Sequence, residues 1–280
     1  MNKKRVIAVH DISCIGRCSL TVALPVLSAA GVETSVIPTA VLSTHTGGFE
    51  GFTFKDLTDE IEPIFNHWKT LGIKADSIYT GYVGSHRQLE ILSRFTDTFR
   101  TDDTFVLVDP VMGDAGRFYT AIDDRFVDGM RNLCAKADLI VPNLTEASML
   151  LGTPYVSDGY DESYIKETCK KLCALGPRYA VISGVSFCKG TTGAAAYDSE
   201  TDTFSYYSCQ QIEGFYHGSG DVFASAILGA VLNGKTVGDS LKIAVDFTLK
   251  CICRTHNYGT DTRYGLDFEQ ELGGYIKMLG

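Results

Sequence analysis

The sequence predicts a doubly wound α/β fold, with a mostly parallel central sheet and helices on both of its faces. Strand-like apolar runs alternate with helix-like segments along most of the 280 residues. The first run, at residues 6–9, is apolar without interruption, as in a parallel strand that is buried on both faces. No linker, low-complexity segment or internal repeat divides the chain, so we expect a single domain over residues 1–280.

The individual elements follow from hydrophobic periodicity and from end signals. Strands are expected at residues 6–9, 34–37, 77–80, 104–108, 138–141 and 179–184, with a short strand from 41 that opens into a glycine loop at 47–48, and a hairpin at 193–197 and 204–208. Helices are expected at 19–30, 57–71, 88–99, 123–136, 162–175, 219–234, 237–256 and 267–279. Gly31 and Gly72 stand where two of these helices should end. Residues 10–17 are expected to form a loop.

Composition and charge exclude several classes of protein. A formal net charge of -9 makes nucleic acid an unfavourable partner. No apolar run approaches the roughly 18 residues of a membrane span, and the basic N-terminus is followed by too short an apolar run for a signal peptide. Nine cysteines, an odd number without a CxxC pair, indicate reduced thiols rather than a disulfide framework. We therefore expect a cytoplasmic protein with no membrane partner.

Polar side chains follow many of the predicted strands. In an open parallel sheet, ligands bind beyond the carboxyl ends of the strands, and those ends share one edge. The polar residues expected there are Asp11, Thr46, Tyr82, Asp109, Asp114, Asn143, Glu146, Ser183 and Asp221. Their common location predicts one active site at this edge of the sheet.

The stretch from Gly218 to Asp221 precedes an apolar helix. The first N–H groups of a helix have no partner within it and favour an anion, and glycine allows an anion to approach the backbone closely. A carboxylate at such a place indicates a base, which takes a proton from an attacking group while the N–H groups stabilise negative charge. The structural alternative is that Asp221 is only the N-cap of the helix.

Two further pairs of polar residues predict metal and phosphate chemistry. Asp109 and Asp114 flank a loop after a strand and could hold Mg²⁺ directly or through water, although Asp109, before a proline, could simply end the strand. Asn143 and Glu146 have the spacing of a capping box, and Glu146 could equally position metal-bound water near a phosphate chain.

Other common site patterns are absent from the sequence. The Gly-Ser-Gly turn at 218–220 is not a Walker A pattern, and no G-x-G-x-x-G follows the first strand, which disfavours dinucleotide binding. No nucleophile elbow of the form G-x-S-x-G occurs around residues 184–188. His10, His45 and His217 lie in predicted loops without zinc-ligand spacing.

Five motifs occur in order at these strand ends: STHTG at 43–47, TGYVGS at 80–85, VDPVMGD at 108–114, Asn-x-x-Glu at 143–146 and Gly-x-Gly-Asp at 218–221. Together they resemble the ribokinase-like superfamily and, within it, the vitamin B6 kinases, which act on pyridoxal or pyridoxamine. The resemblance extends from residue 6 to about residue 256. It implies ATP as phosphoryl donor, Mg²⁺ as cofactor, a B6 vitamer as substrate and a homodimer.

The resemblance also implies roles for individual residues. Asp221 corresponds to the base, and Gly218, Ser219 and Gly220 correspond to the anion hole over the transferred phosphoryl group. The ATP side corresponds to Asp109, Asp114, Asn143, Glu146 and Ser183, with the metal at Asp109, Asp114 and Glu146. Thr46 corresponds to a position at the polar edge of the B6 ring and Tyr82 to one over its face.

One residue departs from this pattern. Asp11, in the first loop, stands where the best-known pyridoxal kinases have serine, and related hydroxymethylpyrimidine kinases often have Asp there. A carboxylate near the ring could bind a ring N–H or an amine, so pyridoxamine and an aminopyrimidine stay open as substrates. Asp11 could also cap the following helix or bind Arg17. Hydroxymethylpyrimidine kinase is therefore the alternative function, a nucleoside kinase is less favoured, and a non-catalytic binder of the same fold is a third class.

Overall fold

Nine of the strands form one twisted sheet in the computed structural model, which describes residues 4–119 and 122–280. The strands are β1 (Arg5–Ile15), β2 (Glu33–Thr44), β3 (Phe54–Asp56), β4 (Ser77–Thr80), β5 (Phe105–Val108), β6 (Gly113–Asp114), β7 (Arg117–Phe118), β8 (Leu139–Ile140), β9 (Tyr179–Val185), β10 (Thr191–Asp198) and β11 (Thr203–Gln210). The helices are α1 (Leu20–Ala29), α2 (Thr58–Thr70), α3 (His86–Phe99), α4 (Asp124–Cys134), α5 (Leu144–Leu151), α6 (Glu162–Cys173), α7 (Ser219–Leu232), α8 (Val237–Tyr258) and α9 (Leu272–Leu279).

The strand order is β11-β10-β9-β8-β5-β4-β1-β2-β3, and β6 and β7 form a separate small hairpin. The six strands from β9 to β2 in this order are parallel, while β3, β10 and β11 are antiparallel additions at the two sides. The chain runs from β1 to β2 on one side and then to β4 on the other. The strand order therefore reverses at β1, which is where ligands bind in open α/β sheets.

Successive residues of the central strands are buried on opposite faces of the sheet. Ile7 and Ile78 pack in a core with α2 to α6, and Val6 and Tyr79 pack in a second core with α1, α7, α8 and α9. This arrangement explains why the central strands are continuous apolar runs instead of alternating ones. The predicted doubly wound α/β domain with helices on both faces is confirmed.

The prediction of a loop at residues 10–17 is wrong over most of its length, because β1 continues to Ile15 beside β2. The pairing shifts between His10 and Ile12, opposite a segment of β2 that contains Pro38. Proline has no N–H to donate, and a bulge is one of the places where a strand tolerates it. Polar His10 and Asp11 on one strand, and Pro38 on the other, concealed two long strands from pattern analysis.

Smaller differences concern short elements. The edge strand β3 and the hairpin of β6 and β7 were not predicted, since two or three residues give no periodicity. The last predicted helix, 267–279, is shorter: a 3-10 turn at Glu269–Glu271 precedes α9. The nine cysteines are all free thiols. In the part of the chain that the structure describes, no helix is long and apolar enough to cross a membrane.

Candidate active site

A cleft of about 460 Å³ opens at the carboxyl ends of the parallel strands. Ten of the twelve predicted site residues line it: Tyr82, Asp109, Asp114, Asn143, Glu146, Ser183, Gly218, Ser219, Gly220 and Asp221. Three of them follow β4, β5 and β8, Asp114 lies in β6, Glu146 in α5 and Ser183 in β9, and the other four form the N-cap and first turn of α7. The other two, Asp11 and Thr46, are not among the residues that line the cleft.

The first turn of α7 lies in this cleft. Gly218 is the N-cap, with φ 73° and ψ 1°, and a Cβ added to it would lie 2.1 Å from the carbonyl oxygen of Arg17. Glycine is therefore required there both by the left-handed backbone and by the close approach of another segment. The alternative in which Asp221 is the N-cap is wrong, because Asp221 is the third residue of the helix.

The Asp221 carboxyl group is partly buried in the cleft. Its pKa is raised to about 7, mainly by burial; the backbone N–H of Ser19 opposes this rise and the negative charge of Asp11 adds to it. A carboxylate with a pKa near neutrality is suited to accept a proton at physiological pH. The helix N-terminus beside it provides N–H groups for an anion.

Asp109 and Glu146 form a second acidic group that lines the same cleft. Burial raises the pKa of Asp109 well above its ordinary value, and the charges of Glu146 and Asp221 add to this effect. Burial likewise raises the pKa of Glu146 to about 8, against the backbone N–H groups that donate to it, while the charge of Asp114 adds to the rise. Buried carboxyl groups that raise one another's pKa favour a cation between them.

The capping box predicted at Asn143 and Glu146 is present at the start of α5. The Asn143 side chain accepts from the N–H of Glu146 at 2.9 Å, and Glu146 Oε2 accepts from the N–H of Asn143 at 2.9 Å. Glu146 Oε1 also accepts from the N–H of Met112 at 3.0 Å, and Asn143 Nδ2 donates to the carbonyl of Gly113 at 2.9 Å. The cap thus ties α5 to the loop after β5, and both residues still line the cleft.

The acidic residues do not form a ready-made metal cage. Across residues 4–119 and 122–280, no three His, Cys, Asp or Glu side chains are grouped so that they could hold a metal ion. Asp109, Asp114 and Glu146 line the same cleft without meeting at a single point. A site of this kind suits Mg²⁺, which commonly takes only one or two protein carboxylates and completes its shell with water and phosphate.

Asp11 lies behind the cleft wall, with only 4% of its surface exposed. Its carboxylate accepts hydrogen bonds from Ser19 Oγ at 2.5 Å and from Ser13 Oγ at 3.2 Å. The alternative in which Asp11 binds Arg17 is wrong, because Arg17 forms ion pairs with Asp267 and Glu269 at 3.0 and 2.5 Å. Ser19, and not Asp11, is the residue of this group that lines the cleft.

Thr46 belongs to an exposed turn between β2 and β3. The neighbouring His45 packs on His217, with ring centroids 4.9 Å apart, and His217 in turn contacts Phe215 at 4.7 Å. A Cβ on Gly47 would lie 2.5 Å from the His217 ring, so this turn packs closely on the loop before α7. The sequence left His217 without a role, although its position directly before the Gly-x-Gly-Asp motif was a usable signal.

One end of the cleft is apolar and was not predicted. Its lining residues on the late helices and on β11 are Phe223, Val245, Leu249, Ile252 and Cys209. These side chains have the helical spacing of ordinary core residues, so no sequence signal separates them from the core. A wall of this kind suits a flat, mostly apolar group such as a nucleotide base.

Comparison with known proteins adds independent information. A model of the phosphomethylpyrimidine kinase family matches residues 24–265. A Bacteroides thetaiotaomicron protein, provisionally named phosphomethylpyrimidine kinase and solved with pyridoxal, is 40% identical, with a TM-score of 0.93 over 98% of this chain and 96% of its own. Lactobacillus plantarum pyridoxal kinase is 30% identical, with a TM-score of 0.90 over 99% and 98% of the two chains.

A curated pyridoxal kinase from Actinobacillus pleuropneumoniae is 28% identical over 74% of this chain and 73% of its own length. These matches cover the same residues as the sequence motifs and confirm the predicted resemblance, including the ribokinase-like fold. The chain therefore belongs to the phosphomethylpyrimidine kinase and pyridoxal kinase family.

Proposed function

We propose that this protein phosphorylates the 5'-hydroxymethyl group of a vitamin B6 vitamer (pyridoxal, pyridoxamine or pyridoxine) with ATP as donor. The observation that carries the proposal is the pairing of Asp221 with the open N-terminal turn of α7 in one cleft. A base beside free N–H groups is what transfer of a phosphoryl group to an alcohol requires. The relatives named pyridoxal kinase indicate the substrate class.

In the proposed reaction Asp221 accepts the proton of the substrate hydroxyl. The hydroxyl oxygen forms a bond to the γ-phosphorus of ATP, the bond from that phosphorus to the bridging oxygen breaks, and ADP leaves. The N–H groups from Gly218 to Gly220 stabilise the charge on the transferred group. With a pKa of about 7, a large fraction of Asp221 is ionised at neutral pH and is able to accept a proton.

We propose that Asp109, Asp114 and Glu146 hold Mg²⁺, in part through water. Their fit to the ion is supported by the raised pKa values of Asp109 and Glu146, since a divalent cation would relieve the repulsion between these carboxylates. When bound, the ion neutralises charge on the phosphate chain. Asn143 and Ser183, which line the same cleft, are proposed to contact ATP.

For the vitamer we propose that Tyr82 lies over the ring, since it lines the cleft. Contacts of Thr46 and Asp11 with the substrate stay predictions from the resemblance, because neither lines the cleft. The homodimer and the cytoplasmic location are likewise predictions, and light scattering on the purified protein would test the first.

Hydroxymethylpyrimidine kinase is the second candidate function, and the family match favours it specifically. A substrate panel separates the two: ATP consumption is measured with pyridoxal, pyridoxamine, pyridoxine and hydroxymethylpyrimidine. We expect the highest kcat/KM with a B6 vitamer. A clear preference for the pyrimidine would replace the first proposal, and absence of turnover with all four would leave a nucleoside kinase or a non-catalytic binder.

A further inference from the structure

Ser19 has an unusual backbone and an unusual hydrogen bond. It is the N-cap of α1 but has φ 50° and ψ -128°, a conformation that is strained for any residue except glycine. Serine at an N-cap normally accepts a hydrogen bond from the helix, yet Ser19 does not cap α1 with its side chain. Its hydroxyl donates to Asp11 at 2.5 Å instead. The strained backbone and the missing side-chain cap indicate that Ser19 is not held in this position by the needs of α1.

Asp11 is well suited to hold Ser19 in this conformation. It lies in β1, between β4 and β2 in the sheet, and 4% of its surface is exposed. Its second oxygen accepts from Ser13 Oγ at 3.2 Å, so both carboxylate oxygens have a hydroxyl donor. A buried carboxylate needs such donors, and a hydrogen bond to a charged group is stronger than one between neutral groups.

The segment that ends at Ser19 packs directly on the first turn of α7. A Cβ on Gly218 would lie 2.1 Å from the Arg17 carbonyl oxygen and 3.6 Å from Cys18 Cα. The backbone N–H of Ser19 faces the Asp221 carboxylate and opposes the rise of its pKa. Ser19 and Asp221 line the same cleft. A displacement of Ser19 would therefore displace the surroundings of Asp221.

We propose that Asp11 and Ser19 are positioning residues for phosphoryl transfer. Asp11 anchors the Ser19 hydroxyl, and the anchored segment fixes the N-terminal turn of α7 together with Asp221. This inference rests on the proposed function in so far as Asp221 is the base. It assigns Asp11 a role that acts through Ser19 and needs no contact between Asp11 and the substrate.

A matched pair of variants tests the proposal. Ser19→Ala and Ser13→Ala each remove one hydroxyl from Asp11, but only Ser19 adjoins Asp221. With the best substrate of the panel, Ser19→Ala should lower kcat about tenfold, the order expected for loss of a hydrogen bond to a carboxylate, with KM for ATP unchanged. Ser13→Ala should keep kcat within about twofold. Equal losses of kcat in both variants, or a rise of the vitamer KM alone in Ser19→Ala, would overturn the proposal.

Asp11 itself provides a rescue test. Asp11→Asn keeps an oxygen that can accept from the Ser19 hydroxyl, whereas Asp11→Ala does not. Asparagine should therefore retain at least about tenfold more kcat than alanine, by the same hydrogen-bond argument. Equal activity of the two variants would contradict an anchoring role.

A measurement without turnover separates this inference from the proposed function. Melting temperatures are measured for Ser19→Ala, Asp221→Asn and the double variant, with Ser13→Ala as the control partner. Residues in contact give non-additive effects and independent ones add. We expect the effects of Ser19→Ala and Asp221→Asn on the melting temperature to be non-additive, and those of Ser13→Ala and Asp221→Asn to be additive. Additive shifts in both would overturn the positioning role, while a wild-type protein inactive on the whole panel would refute only the proposed function.

Discussion

Replacement of Asp221 by asparagine should lower activity and raise stability at the same time. The amide keeps the shape of the side chain but cannot take the substrate proton, so kcat should fall by more than about 100-fold. The carboxylate, by contrast, is unfavourable for the folded state. Burial raises its pKa from 3.8 to about 7, and one pKa unit corresponds to about 1.4 kcal/mol. The penalty is therefore about 4 kcal/mol at most, and about 2 kcal/mol if water in the open cleft screens half of it.

The direction of the pH dependence follows from the same values. The pKa of Asp221 is higher in the folded protein than in the unfolded chain, so between pH 4 and pH 7 the folded state binds more protons. The contribution of this group to stability is thus lost as the pH rises through that window, and the penalty is complete above it. Asparagine carries no such penalty. The variant should be more stable than the wild type at pH 8, and the difference should shrink towards pH 4.

The assay combines kcat at neutral pH with urea unfolding at pH 4.5, 6 and 8 for both proteins. Asp102→Asn, at an exposed position, is the control and should change neither quantity. If kcat of the Asp221 variant stays within about tenfold of the wild type, Asp221 is not the base. If the variant is less stable than the wild type at pH 8, the carboxylate has a structural role and the reasoning from burial is wrong.

Four other variants test the same site and its packing. The glutamine of Glu146→Gln can accept only one of the two backbone N–H bonds that the carboxylate accepts, so the variant should lose about 1 kcal/mol of stability. It should also need about tenfold more Mg²⁺ for half-maximal activity. An unchanged Mg²⁺ titration would leave Glu146 with the capping role alone. Gly218→Ala should lower the free energy of unfolding by about 3 kcal/mol in urea, because its Cβ would clash with Arg17. Gly220→Ala has open space around its Cβ and should lower it by less than about 1 kcal/mol. Similar losses in the two variants would contradict this packing. Asp11→Ser should lower kcat/KM for all four panel compounds by a similar factor, and a tenfold change in their ratios would instead support direct reading of the substrate.

The fold and most of the cleft could be predicted because both depend on local patterns. Apolar runs marked the parallel strands, and polar residues just after those runs had to meet at one edge of the sheet. The spacing of Asn143 and Glu146 predicted either a capping box or a place in the active site. The structure shows the capping box, and the same two side chains also line the cleft.

The failures have a different origin. Asp11 was assigned to a loop because a charged residue in a buried strand contradicts the pattern, yet Ser13 and Ser19 supply the donors that make its burial tolerable. The packing of His45 on His217 depends on two turns that are far apart in the chain, which no local signal reveals.

The contacts of Arg17 have a consequence for how the protein becomes active during synthesis. Its backbone N–H donates to the carbonyl of Tyr264 at 3.0 Å, and its side chain pairs with Asp267 and Glu269. The segment that packs on Gly218 is therefore completed by residues that lie about 250 positions later in the chain. A nascent chain can form the early strands before then, but the turn around Asp221 gains this support only when residues 264–269 have left the ribosome. A partly synthesised chain that lacks residues 264–269 should consequently show no kinase activity.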